Sequence, residues 1–92
     1  MAMTMNQVDQ QVREILTRYC DTDFGDSDNV IRNLGLVSAD GIDLSCDLED
    51  ELQFEIDCHE NPLVDDARRR GRTVRELVEW VQEKVSTQRG VS

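Results

Sequence analysis

The 92-residue sequence predicts an all-α fold, a four-helix bundle of three main helices plus a short third helix, with a long first loop. Three observations predict it. Apolar residues recur at helical spacing in three separate stretches. A run of Asp, Ser, Asn and Gly separates the first two stretches. A capping box opens the last one. The length suits one small domain with a modest core. The sequence places that domain at residues 6–86, between a disordered N-terminus at 1–5 and a disordered tail at 87–92.

The first helix is read from "MNQVDQQVREILTRYC", where Val8, Val12, Ile15, Leu16 and Tyr19 share one face and Gln, Asp and Arg oppose them. Asn6 is its expected N-cap. "DTDFGDSDNVIRNLG" then reads as a loop that Phe24, Val30, Ile31 and Leu34 must anchor, since an unpinned loop of that length would not stay ordered. Its Asp21, Asp23, Asp26 and Asp28 suggest a calcium loop, but the spacing fails. Gly25 and Asp26 stand in the third-acid and glycine slots, Asp28 replaces the apolar residue, and Arg32 replaces the closing glutamate. A solvated acidic loop is the expectation.

The second helix covers "SADGIDLSCDLEDEL". Leu44, Leu48 and Leu52 line up on the wheel, flanked by Ile42 and Cys46. Asp40, Asp43, Asp47, Asp50 and Glu51 form an acidic stripe on the opposite arc. Like charges at these spacings cost roughly 1 kcal/mol in all. Solubility alone needs charge, but not charge of one sign, so the stripe is either plain solvated surface or a docking face. Ser38 stands at the mouth of this helix, where serine is a common N-cap.

Pro62 suits the first turn of a short third helix running to about Ala67. Arg68, Arg69, Arg70 and Arg72 follow, and in so acidic a chain they are expected to pair with its own carboxylates. His59 is the sole histidine and by itself supports neither catalysis nor a metal site. Thr73 and Glu76 form the capping box of the last helix. Val74, Leu77, Val78, Val81 and Val85 make its buried face, Trp80 covers the core edge, and Gly90 marks the stop.

Composition narrows the function classes. Twenty acidic residues against ten basic ones give a net charge of −10, which repels nucleic acid and anionic membranes and attracts basic protein surfaces. Cys20, Cys46 and Cys58 are odd in number and widely spaced, which supports neither a disulfide framework nor a zinc site. Reduced thiols and the lack of a signal or membrane-spanning pattern point to a cytoplasmic protein, monomeric by default. No nucleophile, base and orienting group can be assembled, so an independent enzyme is not expected.

The segment "NLGLVSADGIDLSCDLEDELQFEI" resembles the acyl carrier protein family. Leu34-Gly35 match its Leu-Gly pair, and Ile42, Leu44, Leu48, Glu49, Leu52, Glu55 and Ile56 fall on family positions. "TVRELVEWV" resembles the family's final helix. The family's Asp-Ser-Leu reads Val37-Ser38-Ala39 here, and the segment between Ile56 and Val74 is longer than usual. The resemblance implies an acyl-carrier-like four-helix bundle with phosphopantetheine attached to Ser38. The arm would hold acyl groups as thioesters for enzymes of fatty-acid, polyketide or related biosynthesis. It also implies a phosphopantetheinyl transferase and acyl-processing enzymes as partners, docking by basic surfaces on the stripe. Val37 and Ala39 favour the alternative, an unmodified carrier-like interaction or regulatory module.

Overall fold

The computed structural model describes residues 4–57, 59–65, 67 and 69–89. Three helices, α1 (Met5–Leu16), α2 (Ser38–Leu52) and α3 (Val74–Arg89), carry the fold. A small antiparallel hairpin, β1 (Val64–Asp65) and β2 (Arg70–Gly71), precedes α3, with Val64 opposite Gly71 and Asp65 opposite Arg70.

The expected faces are the buried ones. Val8, Val12, Ile15 and Leu16 of α1 and Leu44, Leu48 and Leu52 of α2 are fully buried. Val74, Leu77, Val78, Val81 and Val85 complete the core from α3. α1 packs against both other helices and so lies between them. Trp80 is half-buried against the core edge.

Both ends of the helical domain lie further out than expected. The N-cap of α1 is Thr4, not Asn6. The Thr4 hydroxyl accepts the Gln7 N–H at 3.1 Å, and the Gln7 side chain accepts the Thr4 N–H at 2.8 Å. This Thr-x-x-Gln box meets two orphan donors, which Asn6 could not do from inside the helix. α1 also ends at Leu16, so Tyr19 and Cys20 belong to the turn that follows. At the other end α3 runs past residue 86 to Arg89. Gln88 fastens it there, accepting the Glu55 N–H at 2.6 Å and donating to the Glu55 carbonyl at 2.7 Å. Residues 1–3 and Gly90 lie outside the described residues.

The short third helix is replaced by the hairpin. A helix from Pro62 would have buried Leu63 and then found only exposed Ala67 one turn later. Backbone pairing uses the segment better. Arg72 donates its N–H to the Leu63 carbonyl at 2.8 Å and accepts the Val30 N–H at 2.9 Å. The Val74 N–H donates to Asp28 and the Arg75 N–H to Asp26, at 2.8 and 3.1 Å. The long first loop is thus stitched to the entrance of α3, and Thr73 with Glu76 caps that helix as expected, at 2.9 and 3.1 Å.

Candidate functional site

The approach to Ser38 is a single tight coil. The Asn33 N–H donates to the Asn29 carbonyl, the Gly35 N–H to Ile31 and the Leu36 N–H to Val30, at 2.9, 3.1 and 3.1 Å. Gly35 ends the coil at φ 76°, a left-handed geometry that costs glycine little. Leu36 then plugs into the core, and Val37 takes an extended conformation.

Ser38 is exposed and is the first residue of α2, not its cap. Val37 holds the cap position, and its apolar side chain accepts no hydrogen bond. Asp40 supplies half a capping box instead, its carboxylate accepting the Val37 N–H at 2.9 Å. The Ser38 hydroxyl is therefore not committed to the helix N-terminus as a cap would be. It stands one residue inside a helix end whose first N–H groups lack intrahelical partners, next to the positive end of the dipole.

The acidic stripe divides in two. At its C-terminal half the Tyr19 hydroxyl donates to Asp47, and Arg18 grips Glu51 with both terminal nitrogens, one of them at 3.0 Å. At its N-terminal half Asp40 closes the helix and Asp43 is exposed. Asp50 is exposed as well. Arg18 and Tyr19, in the turn that follows α1, thus cover part of the stripe. Ile42 and Cys46, expected to flank the leucines, instead face outward, with Ile42 68% exposed.

The Tyr19–Asp47 contact has a pH signature. Burial, and then the carboxylate it bonds, raise the Tyr19 phenol above its ordinary value of 10.0. A raised folded-state pKa contributes stability that is present below the unfolded value and lost as pH climbs. Stability of the wild type should therefore fall above pH 10, and Tyr19→Phe should remove that part of the alkaline loss. Denaturation midpoints measured between pH 8 and 11 check this, and parallel curves for the two proteins would refute it.

An open cavity of about 190 Å³ lies beside Ser38, lined by Ser38, Gly41, Ile42, Ser45 and the segment His59 to Pro62. His59 is exposed, and its backbone N–H donates to Asp57 at 3.0 Å. Sequence reasoning did not connect His59 with Ser38, because they are 21 positions apart and no motif joins them.

The remaining candidates resolve into structural roles. Asp26 receives Arg13 and Arg75, whose guanidinium groups, Arg13 first, hold its carboxyl below the ordinary 3.8. The Asp28 carboxylate accepts the Gly25 N–H at 2.8 Å. Among the described residues no group of three His, Cys, Asp or Glu is placed to hold a metal ion. Arg70 pairs with Glu76 at 2.7 Å, as the acidic composition suggested. Arg72 donates to the Asn61 and Pro62 carbonyls, at 2.7 and 3.1 Å, and lies 4.5 Å from the Trp80 ring centre. Arg69 is exposed with φ 54°, while Arg68 lies outside the described residues. Cys46 is exposed, Cys20 is half-buried with burial pushing its thiol up, and Cys58 lies outside the described residues. No described helix is long and apolar enough to cross a membrane. No family model, curated protein or solved structure matches the chain.

Proposed function

We propose that this chain is an acyl carrier with an acyl-carrier-like fold, bearing a phosphopantetheine arm on Ser38 and presenting thioester-bound acyl groups to biosynthetic enzymes. The observation that carries the reading is the uncommitted Ser38 hydroxyl, exposed at the first position of an amphipathic helix. A phosphodiester there would gain from the unpartnered N–H groups and the helix dipole. Attachment forms a bond from Ser38 Oγ to the pantetheine-side phosphorus of coenzyme A. The pyrophosphate P–O bond breaks, adenosine 3′,5′-bisphosphate leaves, and the serine proton passes to a base on the transferase. The chain then needs no catalytic group of its own. Exposed Asp43 and Asp50 remain available to basic enzyme surfaces.

The second reading, an unmodified interaction module, is favoured by Val37 and Ala39 beside the serine and by a hairpin where the resemblance implied a third helix. Intact mass of the chain purified from its own host separates the two. The carrier reading expects the mass of one arm, mapped to Ser38 and absent in Ser38→Ala. An unmodified wild type, from cells whose ordinary carrier is fully modified, would replace it with the second reading.

A further inference from the structure

We infer that the cavity beside Ser38 is a cradle for a phosphate ester on Ser38 Oγ, with the His59 imidazole and the Asn61 side-chain amide as its donors. The inference deepens the carrier reading, on which that ester is the phosphodiester of the arm. Its chemistry serves a phosphoserine equally.

The cavity has two walls. Ser38, Gly41, Ile42 and Ser45 of α2 form one, and the strap from His59 to Pro62, which leads into the hairpin, forms the other. The Ser45 hydroxyl is spent on the Gly41 carbonyl at 2.9 Å. The Ser38 hydroxyl, the His59 imidazole and the Asn61 amide nitrogen make no hydrogen bond among the described residues. Esterified Ser38 would thus bring acceptor oxygens to a wall that carries idle N–H donors.

The strap is built to stay there. A Cβ at Gly41 would lie 3.0 Å from Asn61 Oδ1 and 3.2 Å from the Leu63 side chain, so the bare glycine is what lets Asn61 come this close to α2. Asn61 Oδ1 accepts the Leu63 N–H at 2.8 Å, which fixes the amide by its oxygen and leaves its nitrogen uncommitted. From α3, Lys84 donates to Glu60 at 2.7 Å, and Arg72 holds the Asn61 and Pro62 carbonyls.

Charge favours the same reading. In a chain of −10, an anion at Ser38 meets repulsion unless the nearby acids are engaged. They are: Glu60, the acid that lines the cavity, is paired with Lys84, and Asp40 accepts the Val37 N–H. Among the described residues no Lys or Arg lines the cavity, so holding the anion falls to His59 and Asn61.

The test uses the full chain unmodified, with phosphoserine installed at position 38 during translation, and as purified from its own host. In NMR spectra the His59 imidazole and Asn61 side-chain amide signals should move when Ser38 is phosphorylated. The Gln7 amide, engaged in the α1 capping box, should not. Release of that phosphate by alkaline phosphatase is then followed by intact mass. His59→Ala with Asn61→Asp should speed release about fivefold or more, because the hydrogen bonds that shelter the ester are lost. Asn61→Asp keeps an oxygen for the Leu63 N–H, so the unmodified variant should melt within about 2 °C of wild type. Release at the wild-type rate from the variant, or His59 and Asn61 signals that ignore phosphorylation, would overturn the cradle. The host-purified chain tells the sources apart. An arm that displaces both signals assigns the cradle to the carrier's phosphodiester. An arm that leaves them in place overturns the cradle and keeps the carrier reading. A host chain without an arm, whose signals respond to phosphorylation, keeps the cradle for phosphoserine and overturns the carrier reading.

Discussion

Leu48→Ala should destabilise the protein by about 2–5 kcal/mol, the range for a buried leucine truncated in a packed core. Leu48 is 0% exposed, with Leu44 and Leu52 fully buried one turn before and one turn after it. Its loss removes transfer free energy and leaves a cavity that helices crossing at α1 can close only in part. Against a total stability of about 5–15 kcal/mol for a domain, that is a large share. Urea denaturation measures it as a lower midpoint with an unchanged slope. The neighbouring Ile42→Ala supplies the contrast. Ile42 is six residues earlier on the same helix but 68% exposed, so its truncation should stay within about 0.5 kcal/mol. Similar losses at both positions would show that the helix is rotated from its described register.

The three helices were legible because each buries a stripe that repeats at its own period. Thr73 and Glu76 gave the start of α3 directly, since both halves of a capping box lie within four residues. What was not legible depends on partners distant in the chain. The hairpin has two residues per strand, too few for any period, and is held by Arg72 pairing with both Leu63 and Val30. A helical wheel puts the acids of α2 on one arc, but could not reveal that Arg18 and Tyr19, just past the end of α1, lie against Asp47 and Glu51. Ser38 as first helical residue rather than cap is a one-residue shift. It changes the chemistry, because it leaves the capping role to Asp40.

Gly71→Ala should be the most damaging conservative change outside the core. A Cβ at Gly71 would meet Asn29 Oδ1 at 2.6 Å and the tip of Ile31 at 3.1 Å. The asparagine cannot easily retreat. Its Oδ1 accepts the Ile31 and Arg32 N–H groups at 2.9 and 3.0 Å, and its Nδ2 donates to the Gly71 carbonyl at 2.9 Å. Relieving the clash means giving up those bonds or parting β2 from the first loop, so a loss of about 1–3 kcal/mol is expected. Asn29→Ala should cost a comparable amount, about 1–3 kcal/mol, by leaving part-buried backbone groups without a partner. The double variant distinguishes this account from a general weakening of the hairpin. Once Asn29 is gone the new methyl group has space, so the two losses should fall short of additivity by about 0.5 kcal/mol or more. Strict additivity in urea denaturation would mean that Asn29 is not what excludes a side chain at Gly71. The same seam holds the coil at residues 29–36 that delivers Ser38 to the surface. On the carrier reading, Gly71→Ala should therefore also slow arm attachment at Ser38 at temperatures where the rest of the protein remains folded.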